Sequence, residues 1–132
     1  MHIHHIAIVV HDLDAALAFY RDVLGLELHD RREVPAEGIE AAVLPTATGE
    51  IELLRPTDST GGVARFLEKR GEGLHHVCLA VPDIDAVVER LRAAGAQLLS
   101  EEPQAGARGQ RYIFIHPRSA HGVLLELYEE GR

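Results

Sequence analysis

The chain has 132 residues, 46% of them hydrophobic, enough to bury one core. Acidic residues outnumber basic ones by 21 to 13, and the formal net charge of -8 excludes a general nucleic-acid binder, which would be basic. No apolar run approaches the ~20 residues needed to span a bilayer, no basic-then-apolar leader opens the chain, and the single cysteine, Cys78, cannot form an internal disulfide. These features predict a cytoplasmic protein of a reducing compartment, with neither nucleic acid nor membrane as a partner.

The chain reads as one motif written twice. Residues 4–15 are HHIAIVVHDLDA and residues 75–86 are HHVCLAVPDIDA, with six of twelve positions identical. In the first copy an Ile/Val-rich strand is predicted near 2–10. Asp12 is a natural N-cap. Leu13, Leu17, Tyr20 and Leu24 then recur at helical spacing as one buried stripe, and Gly25 ends the helix. Strands are expected near 26–33, 38–45 and 50–55. A short helix from Val63 to Arg70 joins the copies. The second copy repeats the order: a strand near 74–81, a helix from Asp83 to Ala94, and strands near 96–101, 110–116 and 122–129. The fold class is therefore α+β, two βαβββ units with pseudo-twofold symmetry and a cupped mixed sheet. One domain covers 1–132, with repeats at about 1–58 and 73–132 and the linker helix at about 59–72.

Strand alternation singles out four polar residues. Ile6, Ile8 and Val10 share one face of the first strand, leaving His5 with Ala7 and Val9 on the other. Val77, Leu79 and Val81 likewise leave His76 with Cys78 and Ala80. Glu52 faces away from Ile51 and Leu53, and Glu126 from Leu125 and Leu127. A carboxylate inside so apolar a strand needs a partner, a metal or a proton. A single strand histidine is ordinarily a hydrogen-bonded core residue, and a single strand glutamate a solvated one. Two of each at repeat-matched positions point instead to one metal site made by His5, Glu52, His76 and Glu126. Two imidazoles and two carboxylates form a borderline-hard N/O set, suited to Co²⁺, Ni²⁺, Mn²⁺, Zn²⁺ or Fe²⁺. His2, His11, His29, His116 and His121 lack such pairing and read as structural or surface residues, with Ser119 and His121 in a loop that could touch substrate.

The repeated HHIAIVV and DLDAALAFYRDVLGLEL opening resembles the vicinal oxygen chelate superfamily of glyoxalases, extradiol dioxygenases and methylmalonyl-CoA epimerases. The segments GEIELLRP at 49–56, VARFLEKRGEGLHHVCLAV at 63–81 and FIHPRSAHGVLLELYE at 114–129 are similar to the epimerase family in particular. That resemblance implies a divalent cation, Co²⁺ first, on His5, Glu52, His76 and Glu126. It implies an acyl-CoA thioester substrate and inversion at C2 through an enolate, with Glu126 and Glu40 as the two acid–base residues. It also implies a homodimer. Arg65, Lys69, Arg70, Arg108, Arg111 and Arg118 are candidate partners for the CoA phosphates. Arg55 stands where the family commonly has an acidic residue, and Arg108 interrupts a glycine-rich stretch. A lactoylglutathione lyase of glyoxalase type, or a non-catalytic binding protein on the same scaffold, are the other readings.

Overall fold

Asp12 and Asp83 start the two repeat-related helices in the same way. Each carboxylate accepts the backbone N–H three residues on, from Ala15 and Ala86, at 3.1 Å. Residues 1–106 and 109–130 are described by the computed structural model, so the Arg108 expectation lies outside the described residues. The eight strands among them are β1 (His2–Val9), β2 (Asp30–Val34), β3 (Ile39–Pro45), β4 (Glu50–Pro56), β5 (Gly73–Val81), β6 (Gln104–Ala105), β7 (Arg111–Ile115) and β8 (Leu125–Glu129). Helix α1 (Leu13–Leu17) runs into a wider π-helical turn at Ala18–Val23; α2 spans Gly62–Arg70 and α3 spans Ile84–Ala93. No helix among the described residues is long and apolar enough to cross a membrane. By its contacts the chain divides into two compact units. The first is His5–His75, which takes in α2; the second is His76–Arg132 together with Met1–His4.

In the first unit the strand order is β2-β3-β4-β1, with β1 parallel to β4 and the other neighbours antiparallel. The second unit repeats it as β6-β7-β8-β5, with β5 parallel to β8. Each unit is therefore the expected βαβββ arrangement, and the mixed α+β class holds.

Two faces of the first sheet bury different sets. Val10, Ala42, Leu44 and Leu53 pack with Leu13 and Leu17 of α1. Ala7, Val9, Ile39, Ala41 and Leu54 form the opposite face, against which Val63, Phe66 and Leu67 of α2 pack. In the second unit Val81, Ile113, Ile115 and Leu127 pack with Ile84 and Val88 of α3. Full burial of each Val, Leu or Ile side chain among these contributes about 1.5–3 kcal/mol.

Four element boundaries depart from expectation, one of them the last strand, expected from 122 and beginning at Leu125. The π-helical turn, seen in the Leu24 N–H bonding Phe19 O at 2.8 Å, inserts an extra residue into the helical repeat. It rotates Leu24 off the buried stripe to 56% exposure, and Leu26 and Leu28 fill the core in its place. The strand expected at 26–33 begins only at Asp30. The strand expected at 96–101 is reduced to one bridge, Leu98 with Ile115, and Gln104–Ala105 pairs with the other end of β7.

An ionic clamp sits on the helix-covered face of each sheet. In the first unit Glu40 lies opposite Arg55 in register. It accepts from Arg55 Nε and Nη2 at 3.2 and 3.1 Å, and from Arg31 Nε at 3.0 Å. Arg31 Nη1 reaches on to Asp14 in α1 at 2.6 Å. In the second unit Arg111, placed before Ile113 as Glu40 is before Ala42, donates both its Nη groups to Asp85 in α3 at 2.7 Å. It also lies 4.0 Å from Glu129, which stands after Leu127 as Arg55 stands after Leu53. The two clamps are charge-inverted copies, Glu40–Arg55 against Arg111–Glu129, and each ties the first turn of a helix to its sheet. Arg111 is thereby held by two carboxylates rather than left for a phosphate.

Candidate functional site

Alternation along β1 puts His5 on the same face as Ala7 and Val9, and His5 is 6% exposed. On β4 the residue in that face is Glu52, whose in-register neighbours are Ala7 on β1 and Val43 on β3. The two side chains meet: His5 Nδ1 lies 3.3 Å from Glu52 Oε2. The second unit builds the same pair. His76 is 7% exposed beside Cys78 and Ala80, both fully buried. Glu126 lies between Cys78 on β5 and Phe114 on β7 in register. His76 Nε2 lies 3.1 Å from Glu126 Oε1. Each unit thus brings its predicted His and Glu together, on the sheet face opposite α1 or α3.

The immediate neighbours His4 and His75 each meet an aromatic ring. The His4 ring lies 4.7 Å from Tyr128, and the His75 ring lies edge-on to Phe66 at 5.0 Å. His11 donates its backbone N–H to Glu72, and His116 Nδ1 accepts from the Arg118 N–H. Ser119 accepts from the Gln97 N–H. Among the cationic candidates, Arg65 donates to Thr60 O, and the Arg70 guanidinium lies 5.6 Å over the Phe66 ring.

Glu40 is placed differently. It alternates with Ala41 and so shares the α1 face with Ala42 and Leu44, whereas His5 and Glu52 share the α2 face with Ala41 and Leu54. The hydrogen bond from Arg31 in particular, joined by Arg55 and opposed by burial, holds its carboxyl below the usual carboxylate range. A carboxylate gripped by two guanidinium groups is a weak base. Glu40, which the family resemblance implies as the second acid–base residue, lies on the opposite face of the first sheet from His5 and Glu52.

One feature near the site was not singled out from the sequence. Tyr112 and Phe114 lie opposite Tyr128 and Glu126 in register, on the face that carries His76. The Phe114 ring meets the His76 ring edge-on, at 5.3 Å and 90°. The signal was present in the alternation of Arg111-Tyr112-Ile113-Phe114-Ile115, which turns the two aromatic residues away from the isoleucines.

The donor chemistry of the two pairs fits a divalent metal. Neutral imidazole and ionised carboxylate are the forms that ligate, and both histidines are nearly buried, at 6% and 7% exposure.

Comparison with known proteins adds to this geometry. Residues 4–114 match the family described as the Glyoxalase/Bleomycin resistance protein/Dioxygenase superfamily. An ethylmalonyl-CoA/methylmalonyl-CoA epimerase of Cereibacter sphaeroides is 42% identical, over 95% of this chain and 95% of its own. The crystal structure of methylmalonyl-CoA epimerase from Mycobacterium tuberculosis superposes with a TM-score of 0.90 at 38% identity, covering 99% of this chain and 89% of that one. A methylmalonyl-CoA epimerase in complex with methylmalonyl-CoA and NH4+ gives a TM-score of 0.89 at 37% identity, covering 98% and 94%.

Proposed function

The chain belongs to the Glyoxalase/Bleomycin resistance protein/Dioxygenase superfamily, and from that premise we propose that it is an isomerase that interconverts the two C2 epimers of methylmalonyl-CoA. The observation that carries this reading is the repeat-matched pairing of a buried His with a Glu in each unit, at 3.3 and 3.1 Å. His5, Glu52, His76 and Glu126 together are the residues that would hold one divalent cation, with Co²⁺ the first candidate. The cation would supply Lewis-acid stabilisation of the negative charge that develops on the thioester oxygen.

The protein's own part is proton transfer at C2. That hydrogen lies between a thioester and a carboxylate and is only weakly acidic. Glu126 is the base on one face of C2, its carboxylate 13% exposed, set in an apolar strand face and oriented by His76. Inversion is completed when water protonates the enolate on the other face while Glu126 returns its proton to solvent. A carboxylate shielded from water is the better proton acceptor. Glu40 is left out of the proton path and read as the centre of the clamp between β3, β4 and α1. A homodimer and a cytoplasmic location belong to the same proposal. Arg65, Lys69, Arg70 and Arg118 are kept as candidate partners for the CoA phosphates.

The test is C2 proton exchange. A single epimer of methylmalonyl-CoA in D₂O, with metal-loaded protein, should take up deuterium at C2 and lose its handedness. A chelator should stop both and added Co²⁺ restore them. No exchange above the spontaneous rate, with turnover of methylglyoxal plus glutathione instead, would overturn the reading in favour of a lyase.

The clamp reading makes a separate prediction. Glu40→Gln should leave C2 exchange and inversion close to wild type while lowering stability at neutral pH by about 1–2 kcal/mol. Because the folded-state pKa of Glu40 is depressed, its contribution is present above the unfolded-state pKa and is lost as pH falls through the folded-state value. The gap in melting temperature between wild type and Glu40→Gln should therefore close on acidification. Melting curves that coincide at every pH, or loss of inversion at full stability, would return Glu40 to the active site.

A further inference from the structure

The two His/Glu pairs are alike in residue type but differ in what backs them. Opposite Glu52 in register is Val43; opposite Glu126, at the repeat-related place, is Phe114. One step along the same strands, Ala41 lies opposite Leu54, where the second unit has Tyr112 opposite Tyr128. A short aliphatic wall in one unit is an aromatic wall in the other.

The aromatic wall is braced along its length. Tyr112 Oη donates to Gln104 Oε1 at 3.1 Å, which pins that ring at the sheet edge. The Tyr112 and Phe114 rings meet edge to face at 6.0 Å and 82°. Phe114 in turn meets the His76 imidazole at 90°. The imidazole on this wall offers Nε2 to its carboxylate, whereas His5, in the unit with Val43, offers Nδ1. An imidazole turned over about its Cβ–Cγ bond changes the nitrogen it presents, and an aromatic edge packed square against the ring resists that turn.

We propose that Phe114 is a positioning residue for the His76–Glu126 pair, fixing the nitrogen that His76 presents and with it the seat of the Glu126 carboxylate. The inference rests on the metal-site reading for its consequence in function, though not for its structural content. Phe114 touches His76 and acts through it. Groups that orient a metal ligand from behind are often worth as much as a factor of ten to a hundred in affinity.

The experiment uses Phe114→Val, which copies the first unit, and Phe114→Leu, which keeps more of the volume if the valine variant fails to fold. The first readout is the ¹⁵N chemical shifts of the His76 ring in metal-free protein, assigned with a His76→Gln control. Wild type should show Nε2 alone in the hydrogen bond to Glu126, and the variants a mixture of the two nitrogens. The second readout is Co²⁺, followed by calorimetry and by its visible absorption bands. The variants should bind Co²⁺ about tenfold more weakly, with a shifted spectrum. Inversion should then show a lower kcat at nearly unchanged KM, and Phe114→Tyr should restore all three. Wild-type ring shifts in both variants would overturn the proposal. If wild type itself binds no Co²⁺, the metal reading fails, and the ring shifts still decide the role of Phe114.

Discussion

Replacing Glu126 by Gln should reduce C2 proton exchange by about 10²–10⁴-fold, the usual worth of a positioned general base. The amide keeps the shape and an oxygen atom but cannot accept a proton. Glu126 sits between Cys78 and Phe114 in register, with His76 Nε2 at 3.1 Å, so the substitution leaves its strand neighbours in place. Its repeat partner Glu52 supplies the control. It has the same residue type, a comparable contact to His5 at 3.3 Å and greater side-chain exposure, 22% against 13%. In this reading Glu52 is a ligand only. Glu52→Gln should therefore weaken metal binding yet retain exchange once metal is saturating, whereas Glu126→Gln should stay slow at any metal concentration. The measurement is deuterium uptake at C2 by NMR, with bound metal quantified in the same samples. Metal-replete Glu126→Gln exchanging within tenfold of wild type would remove Glu126 as the base.

Deleting the imidazole of His76 should cost more than about a hundredfold in Co²⁺ affinity, exceeding what is lost when only a supporting group is removed. Deleting that of His75 should leave affinity near wild type. The two residues are adjacent, and the pleat sends their side chains to opposite faces of β5. His76 is buried against Glu126 and Phe114. His75 lies edge-on to Phe66 of α2, so His75→Ala should lower stability by about 0.5–1.5 kcal/mol through the lost ring contact. The same comparison holds between His5→Ala and His4→Ala, since the His4 ring lies against Tyr128 instead. Affinity can be measured by competition with a chromophoric chelator, and stability by thermal melts in its absence. Equal losses of affinity for His75→Ala and His76→Ala would show that the metal is held elsewhere.

Much of this protein is legible in its sequence, and for one reason. A repeat with period-two strands states its own geometry twice, so that an error in one copy is exposed by the other. The N-caps Asp12 and Asp83, the βαβββ order, and the face shared by His5, Ala7 and Val9 or by His76, Cys78 and Ala80 all follow from local periodicity. Where structure depended on contacts remote in sequence, local pattern was not enough. The helical stripe could not announce the π-helical turn that moves Leu24 out and lets Leu26 and Leu28 in, because a one-residue insertion of phase is settled by what the core accepts. The segment 96–101 has strand-like composition, yet it joins β7 only through the bridge of Leu98 with Ile115, and the chain pairs again with the other end of β7 at Gln104–Ala105. Glu40 is the sharpest case. Its sequence neighbourhood resembles a catalytic segment, but an offset of one residue reverses the face of a strand. Register places it opposite Arg55, and Arg31 reaches it from β2. Only the tertiary structure could show that this carboxylate and Arg111 are inverted copies of one clamp. A salt bridge is decided by which side chains share a face, and that is a property of the folded sheet rather than of the residue.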